Sequence, residues 1–480
     1  MGSGQVTTSV SSELKGKHVT VAGLGVSGVP AAKVLHGLGA IVTAVNDGAD
    51  ERAQAQAAEL EALGITVRLG DGDTLPEGTE LIVTAPGWKP DKPLFAAAAK
   101  AGVPVWGDVE LAWRLRGPDA APWLAVTGTN GKTTTVQMLA SILTAAGLRT
   151  AAVGNIGVSL LDAVLGEKRY DVLAVELSSY QLHWAPSLRA HSAAVLNLAP
   201  DHLDWHGSME AYAADKGRIY EGNRVACVYN AADKATEDLV READVEEGCR
   251  AIGFTLGTPG PSQLGVVEGI LVDRAFVENR QKNAQELAEV ADVNPPAPHN
   301  IANALAAAAL ARAYGVPAKA VRDGLRAFTP DAHRIAHVAD VDGVAYVDDS
   351  KATNTHAAQA SLAAFESIVW IAGGLAKGAT FDELVAKSAP RLRGVVLIGA
   401  DRALIREALA RHAPEVPVVD LDRTDTGAMR AAVREARRLA HAGDTVLLAP
   451  ACASMDMFAN YNKRGDAFAD AVRELGSVDG

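Results

Sequence analysis

A glycine-flanked lysine followed by three threonines is the strongest chemical signal in the sequence, in the stretch AVTGTNGKTTTV at residues 125–136. An apolar run precedes it and a helical pattern at residues 136–146 follows it. A loop between a strand and a helix presents backbone N–H groups and the positive helix end to an anion. Lys132 could hold the terminal phosphates of a nucleotide, and Thr133 a magnesium ion. Strict spacing would require glycine at position 126, where Val126 stands, so we predict a variant nucleotide-phosphate loop.

Acidic residues and histidines follow two further apolar runs. Glu176 closes the run VLAVE, at the strand end where a magnesium ion beside such a loop needs a carboxylate. The segment NLAPDHLDWHGSMEAYAADKGRIY then places two aspartates and two histidines between residues 201 and 206. Zinc sites have three or four close ligands with more regular spacing, which favours magnesium or phosphate as the contact of His202. Periodicity alone predicts that Lys216 is a solvated helix residue.

A second glycine-rich turn, GLGVSG, follows the apolar run KHVTVA and precedes a helix. Its glycines are Gly23, Gly25 and Gly28, and Asp47 lies at the end of the next strand. This is the dinucleotide-binding fingerprint, in which a pyrophosphate lies at a helix N-terminus. NAD and a nucleotide sugar would satisfy it equally. The separate nucleotide loop and the two parallel-sheet domains beyond it argue against NAD.

Polar strand ends recur in the last third of the chain. The segments VDDSKATNTHA, GGLAKGATF and PACASMDMFANY each follow an apolar run. They carry Asp349, Lys351, Lys377 and Ser454. Because ligands of doubly wound sheets bind beyond the carboxyl ends of the strands, these residues predict one shared site.

Three stretches of alternating strands and helices must position these residues. Short β-branched strands, glycine turns and amphipathic helices predict an α/β protein with parallel sheets covered on both faces. We predict three domains: a Rossmann-like domain at residues 1–116, a central P-loop ATPase-type domain at 117–329, and a Rossmann-like domain at 330–480. The central sheet should carry a small antiparallel addition around residues 250–295, where glycine and valine are frequent.

Composition excludes several classes of function. The 480 residues carry a formal net charge of −13 and no Lys/Arg-rich block, which argues against a nucleic-acid partner. No apolar run approaches the ~20 residues of a membrane-spanning helix. The three cysteines form no metal-ligand or disulfide pattern, and the first residues lack the apolar segment of a secretion signal. We therefore expect a cytoplasmic protein, and a monomer, without a membrane partner.

Short motifs along essentially the whole chain match one known family. In order they are TGTNGKTT, GNIG, ELSSYQL, DHLD, HNIAN, HR, DDSKATN, GG…KG and PACASMD. These residues and their order resemble the Mur ligases of peptidoglycan synthesis. The segments GLGVSG, TAPGW and PACASMDMF resemble the member that adds D-glutamate. The resemblance implies a UDP-binding domain, an ATPase domain and a C-terminal domain that brings the amino acid.

The resemblance also implies the function of individual residues. For UDP and its muramoyl part it implies Gly25, Val26, Ser27, Gly28, Asp47, Thr84, Pro86, Gly87, Asn155, Ser178 and Gln181. For ATP it implies Gly128, Thr129, Asn130, Gly131, Lys132, Thr133, Thr134, Asn303, Arg334 and Asp349. For two magnesium ions it implies Thr133, Glu176, His202 and Lys216, the lysine being carbamylated. For D-glutamate it implies Lys351, Thr353, Lys377, Ser454 and Tyr461. Catalytic functions are implied for Lys132, His202, Lys216, Asp349 and Lys351.

The implied reaction is the ATP-dependent addition of D-glutamate to UDP-N-acetylmuramoyl-L-alanine, through an acyl phosphate and a tetrahedral intermediate. The alternatives are a Mur-type ligase for another amino acid, a folylpolyglutamate-type synthetase, an NAD-dependent dehydrogenase and an ATP-driven switch without enzymatic activity. One departure concerns the UDP site, because Gly48 and Ala49 follow Asp47 where the family often has a basic residue. The diphosphate must therefore find its cation elsewhere.

Overall fold

Three β-sheets follow one another along the chain. The computed structural model describes residues 9–477 apart from Thr424 and Thr426. The predicted α/β class and its three sheets are confirmed. The chain forms two compact units, one of residues 1–293 and 301–328 and the other of residues 294–300 and 329–480. The first unit contains two of the sheets, and the predicted domain limits stay predictions.

The first sheet is entirely parallel, with the strand order β3-β2-β1-β4-β5. Its strands are β1 (His18–Ala22), β2 (Ile41–Asn46), β3 (Thr66–Leu69), β4 (Leu81–Thr84) and β5 (Val105–Gly107). The helices are α1 (Ser9–Leu14), α2 (Gly28–Gly37), α3 (Glu51–Glu61), α4 (Pro93–Ala101) and α5 (Asp108–Arg114). Strand order reverses between β1 and β4, and such a switch point opens a crevice for ligands.

The central sheet has nine strands in the order β14-β13-β12-β11-β10-β9-β6-β8-β7. They are β6 (Trp123–Thr127), β7 (Ala152–Gly154), β8 (Leu173–Glu176), β9 (Ser192–Val195), β10 (Ala226–Asn230), β11 (Arg250–Phe254), β12 (Gln263–Val267), β13 (Ile270–Asp273) and β14 (Gln285–Glu289). Strands β12 to β14 pair antiparallel, which confirms the predicted addition.

Eight helices accompany the described part of this sheet. They are α6 (Lys132–Ala145), α7 (Leu160–Leu165), α8 (Ser179–His183), α9 (Leu203–His206), α10 (Met209–Gly217), α11 (Lys234–Glu242), α12 (Pro298–Ala313) and α13 (Ala318–Ala327). Helix α6 begins at Lys132, four residues earlier than the apolar pattern predicted. Polar residues of a first helical turn contribute nothing to an apolar pattern, so periodicity places the start late.

Burial on both faces explains the near-continuous apolar runs of the central strands. In β6, Trp123 and Ala125 belong to one apolar cluster, and Leu124 and Val126 to another. Successive residues of a strand point to opposite faces, so each face of the sheet has its own core.

The third sheet has the order β15-β16-β20-β17-β18-β19. Its strands are β15 (Ala336–Val341), β16 (Val344–Asp348), β17 (Ile368–Gly373), β18 (Leu392–Ile398), β19 (Val418–Asp420) and β20 (Thr445–Leu448). The helices are α14 (Thr355–Leu362), α15 (Asp382–Ser388), α16 (Arg402–His412), α17 (Ala428–Leu439) and α18 (Tyr461–Ser477). The antiparallel edge strand β15 is half-exposed, so its sequence contains no apolar run from which the strand could be predicted. Among the helices that the structure describes, none combines the length and the apolar character that crossing a bilayer requires.

Candidate active site

The nucleotide loop connects β6 to α6, as the sequence predicted. Gly128 and Gly131 adopt positive φ angles of 154° and 85°, which side chains other than hydrogen disfavour. Lys132 Nζ donates to the carbonyls of Gly128 at 2.9 Å and Thr129 at 3.0 Å, so the ammonium lies inside the loop. A Cβ at Gly131 would lie 2.4 Å from Oδ1 of Asn303, which brings that predicted ATP residue against the loop.

Asn197 supports the loop, and sequence reasoning missed it. Its carbonyl accepts from the N–H of Thr129 at 3.1 Å, and its Oδ1 accepts from the N–H of Asn130 at 2.9 Å. Its Nδ2 donates to the carbonyl of Asn130 at 3.1 Å. The available signal was its position just after β9, because β9 pairs with β6 and their carboxyl ends adjoin.

Glu176 ends β8, which also pairs with β6, opposite Val126. The side chain is buried, and its Oε1 accepts from Nδ2 of Asn155 at 3.0 Å. No described residue donates a hydrogen bond to the buried Oε2. A buried carboxylate oxygen without a donor is suited to a hard divalent cation.

Lys216 is buried beneath the loop, contrary to the expectation of a solvated helix residue. It is 2% exposed, and its Nζ donates to the carbonyl of Gly128 at 2.9 Å. Burial lowers the pKa of Lys216 well below its ordinary value, and the nearby Lys132 lowers it further. The prediction of a solvated residue was wrong because helix α10 lies against the loop, a contact that periodicity does not encode.

His202 immediately precedes α9, as its N-cap residue, with a positive φ of 54°, an uncommon conformation for this residue. Its Nε2 lies 3.5 Å from Asp201, and its ring lies 4.9 Å from that of Tyr180. Burial lowers the pKa of His202, and Lys132 and Lys216 also lower it, while Asp201 opposes them. The imidazole is therefore mostly neutral at pH 7 and can act as a ligand or proton acceptor.

The predicted metal residues Thr133, Glu176, His202 and Lys216 belong to the same compact unit. Among the described residues, no group of three or more His, Cys, Asp or Glu side chains could hold a metal ion. Only two of the four predicted residues are of those types. The donor oxygens of Glu176 and Thr133 fit magnesium, which keeps several of its waters, better than a zinc ion that needs a full set of protein ligands.

Asp215 links the three helices that carry this site. Its carboxylate lies 2.9 Å from Nδ1 of His183 in α8 and 3.0 Å from Nδ1 of His206 in α9. Burial alone would raise the pKa of Asp215, but hydrogen bonds from the two histidines and the charge of Arg218 lower it to about 2. His206 Nε2 in turn lies 2.9 Å from Oγ of Ser179. Sequence reasoning noted His206 and missed Asp215.

The predicted UDP residues of the N-terminal part of the chain lie at or beyond the carboxyl ends of β1, β2 and β4. In the glycine-rich turn, a Cβ at Gly28 would lie 1.8 Å from the carbonyl of Gly23, so only glycine allows this close turn. Val26 is exposed and Ser27 precedes α2. Asp47 follows β2, and Thr84 ends β4.

Two of the contacts between the residues around the first sheet and those around the central sheet involve predicted substrate residues. Nε1 of Trp205 in α9 donates to the carbonyl of Gly87 at 3.1 Å. Burial raises the pKa of Asp108, and Ser27 and Gln181, which both lie beside its carboxyl group, oppose the rise. Ser178 and Gln181 form a capping box at the start of α8, which orients both side chains. The residues predicted for UDP and for the muramoyl group thus converge.

In the second unit, the three predicted polar strand ends lie at one edge of the sheet. Strands β16, β20 and β17 are neighbours. Leu375 and Ala453 exchange two backbone hydrogen bonds of 2.9 Å, which binds the loop of Lys377 to the loop of Ser454. Lys351 Nζ lies 3.9 Å from the ring centre of Tyr461. Lys377 has a φ of 50° in its glycine-rich turn.

Asp349 is buried at this edge. Burial raises the pKa of Asp349 to about 6, although hydrogen bonds from Ser361 and from the N–H of Ile335 oppose the rise. The buried Arg464, which sequence reasoning missed, donates to Ser350 Oγ at 3.0 Å and so braces the same loop. Thr353 follows in the turn before α14. The proposed contacts of Arg334 and Asp349 with ATP stay predictions.

Comparison with known proteins identifies the class. The family model described as the Mur ligase middle domain matches residues 126–311, and the model described as the Mur ligase, glutamate ligase domain matches residues 333–452. The chain belongs to the Mur ligase family.

Among its relatives are two UDP-N-acetylmuramoylalanine–D-glutamate ligases from Streptomyces. That of Streptomyces avermitilis is 91% identical over 96% of this chain and 99% of its own length. That of Streptomyces coelicolor is 90% identical over 97% of this chain and 100% of its own length. The protein of the same name from Thermobifida fusca is 60% identical over 96% of this chain and 99% of its own length.

Solved structures share the fold. The UDP-N-acetylmuramate-alanine ligase MurC of Thermotoga maritima has a TM-score of 0.57 at 18% identity, covering 95% of this chain and 99% of that one. The MurF ligase of Thermotoga maritima, in complex with ADP, has a TM-score of 0.56 at 17% identity and covers 97% of each chain. At such identities the likeness concerns architecture alone.

Proposed function

We propose that the protein is an ATP-dependent ligase that joins D-glutamate to UDP-N-acetylmuramoyl-L-alanine in peptidoglycan precursor synthesis. The observation that carries this proposal is the 91% identity, over 96% of the chain, with a ligase of that name. The geometry supports it, because a phosphate loop, a buried carboxylate and a nucleotide-type switch point lie in one compact unit. The reaction takes place in the cytoplasm and involves a monomer with small-molecule substrates.

ATP binds at the loop between β6 and α6. The N–H groups at the start of α6 and the ammonium of Lys132 stabilise the charge of the β- and γ-phosphates. The residues that would hold magnesium are Thr133, Glu176, His202 and a modified Lys216. When bound, the metal neutralises phosphate charge and orients the oxygens of the transferred group.

Activation of the acceptor carboxylate is the first chemical step. A carboxylate resists nucleophilic attack because it is negatively charged and resonance-stabilised. One oxygen of the alanyl carboxylate attacks the γ-phosphorus, the bond to the β-phosphate oxygen breaks, and ADP leaves with the electron pair. Lys132 offsets the charge spread over the transferred phosphoryl group. The product is an acyl phosphate, whose phosphate is a good leaving group.

Amide formation is the second step. The neutral amine of D-glutamate attacks the acyl carbon, a tetrahedral intermediate forms, and inorganic phosphate leaves. His202 is neutral because its pKa is lowered, and when it is not a magnesium ligand its free ring nitrogen can accept the proton that the amine releases. Lys351 and Lys377 lie at one edge of the third sheet, where their charges can offset the two carboxylates of glutamate.

Carbamylation of Lys216 fits its surroundings. Because burial lowers the pKa of Lys216, a larger fraction of its side chain is the neutral amine, the form that attacks CO₂, than in a solvated lysine. Its nitrogen forms a bond to carbon and releases one proton, giving a carbamate. The carbamate places an anionic oxygen beside Glu176, where the amine offered no anionic ligand for a metal ion. A ¹³C NMR carbamate signal in labelled bicarbonate should be present in the native protein and absent from Lys216→Met.

The function is tested by phosphate release over a matrix of UDP-muramoyl acceptors and amino acids. We expect release only with the alanyl acceptor together with D-glutamate. Release with another amino acid in place of D-glutamate would assign a different Mur-type reaction. ATP hydrolysis that needs no amine would point instead to an ATP-driven switch.

A further inference from the structure

Lys92 occupies an unusual position at the N-terminal nucleotide site. It immediately precedes helix α4, yet its Nζ lies 3.0 Å from Oδ1 of Asp47, which follows β2. The same Nζ donates to Oδ1 of Asp73 at 3.0 Å. Its side chain is 20% exposed, against 57% for that of Asp47, so the cation is the more enclosed partner.

The residues immediately after Asp47 include two acids and no base. The residues that follow it are Gly48, Ala49, Asp50 and Glu51, so the chain supplies no basic residue directly after Asp47. An acid in this position accepts hydrogen bonds from ribose hydroxyls, but its charge repels the diphosphate of the same ligand. Burial would lower the pKa of Lys92, but the hydrogen bonds to the two aspartates raise it overall, so the side chain is charged at neutral pH.

Trp88 lies across the same site. A Cβ on Gly23, in the glycine-rich turn, would lie 2.6 Å from its Nε1. A Cβ on Gly72 would lie 2.9 Å from the far end of the indole and 1.9 Å from Oδ1 of Asp47. The indole therefore spans the distance between the glycine-rich turn and Asp47. Lys92 Nζ lies 5.1 Å from its ring centre, a cation–π distance.

We propose that Lys92 and Trp88 complete the UDP site, with Lys92 as a positioning residue and Trp88 as a contact for the uridine. Lys92 holds the carboxylate of Asp47 toward the ribose hydroxyls and offsets its charge against the diphosphate. Trp88 provides an apolar wall between the glycine-rich turn and Asp47. This inference rests on the proposed function, because it takes UDP as the ligand of the first sheet.

The test measures binding of UDP and of UDP-N-acetylmuramoyl-L-alanine to the full-length protein by isothermal titration calorimetry. We expect Lys92→Met to raise the Kd of both ligands about 10-fold, the effect of one lost charge interaction of moderate strength. Lys92→Arg should stay within about 3-fold of the native Kd because it keeps the charge. Lys100→Met, an exposed lysine on α4, is the matched control and should change nothing.

A double-mutant cycle separates positioning from general charge. If Lys92 acts through Asp47, then Asp47→Asn with Lys92→Met should bind about as weakly as Asp47→Asn alone. Trp88→Leu should raise the Kd of uridine monophosphate about 10-fold but leave the Kd of ATP unchanged, since ATP binds at the separate loop. In turnover assays, Lys92→Met should raise the KM of the UDP substrate at constant kcat.

Two outcomes would overturn the inference, and they are distinguishable. Native protein that binds UDP, together with Lys92→Met and Trp88→Leu variants that bind it equally well, would remove both residues from the site and leave the proposed function intact. Native protein that binds no UDP would contradict the proposed function itself. Unchanged thermal melting of the variants confirms that they are folded.

Discussion

Replacing Asp215 by asparagine should destabilise the first unit and weaken catalysis together. Asparagine keeps the shape of the side chain but removes its charge and one acceptor oxygen. The carboxylate lies within 3.0 Å of His183 and His206 and pairs with Arg218 at 3.2 Å. The His206 side chain is 0% exposed, so a ring N–H left without an acceptor cannot turn to water.

The magnitude follows from two considerations. A carboxyl group whose pKa falls from 3.8 to about 2 stabilises the folded state by about 2 kcal/mol at neutral pH. A buried N–H left without an acceptor costs a further ~1–2 kcal/mol. We therefore expect Asp215→Asn to lower the free energy of unfolding by about 3–4 kcal/mol.

The pH dependence has a definite sign. The folded-state pKa of Asp215 lies below its unfolded value, so its stabilising contribution is complete above pH 3.8 and disappears as the pH falls through about 2. Between pH 5 and 8 the carboxylate is ionised in both states. The contribution of Asp215 itself should therefore be constant over that interval.

Urea denaturation, followed by tryptophan fluorescence, measures the effect. Asp238→Asn is the matched control, because Asp238 pairs with Lys234 at 2.6 Å on the exposed face of α11. An exposed helical pair is worth less than about 0.5 kcal/mol. If Asp215→Asn and Asp238→Asn unfold at the same urea concentration, the view that Asp215 links three helices is wrong.

Three further substitutions test the proposed chemistry. Lys132→Ala should reduce phosphate release at least ~100-fold in a folded protein, because the loop loses its cation for the transferred phosphoryl group; near-native turnover would contradict this. Glu176→Gln should raise the magnesium concentration for half-maximal activity ~10-fold or more, with the KM of D-glutamate unchanged, and an unaltered magnesium titration would exclude Glu176 as a ligand. In initial-rate measurements, Lys377→Ala should raise the KM of D-glutamate ~10-fold or more and leave the KM of ATP constant. A raised KM of ATP with an unchanged KM of D-glutamate would instead assign Lys377 to nucleotide binding.

Local features of the chain could be predicted from the sequence alone. Lys132 and Thr133 are consecutive and lie in a turn between an apolar strand and a helix. Their possible function therefore depends only on chain direction and on the N–H groups of a helix start. The position of Glu176 at a strand end follows from the apolar run before it. Strand and helix periodicities likewise predicted the α/β class.

Long-range contacts could not be predicted from the sequence, because no local pattern specifies which helix lies against which loop. Lys216 looked like a solvated residue, yet it bonds to Gly128, 88 residues away in sequence. Lys92 and Asp47 come from different loops of the first sheet, and only the parallel strand order brings them together. Asn197 is one polar residue among many until the pairing of β9 with β6 places it against the nucleotide loop.

The sequence by itself therefore determined the chemistry of contiguous motifs, because hydrophobic periodicity and turn residues act over a few neighbouring positions. Only the tertiary structure decided which charges are buried and which partners compensate them. Burial lowers the pKa of Lys216, whereas burial would raise the pKa of Asp215 and the hydrogen bonds from His183 and His206 lower it. Such energies belong to the assembled fold, since they vanish when the chain is extended in water.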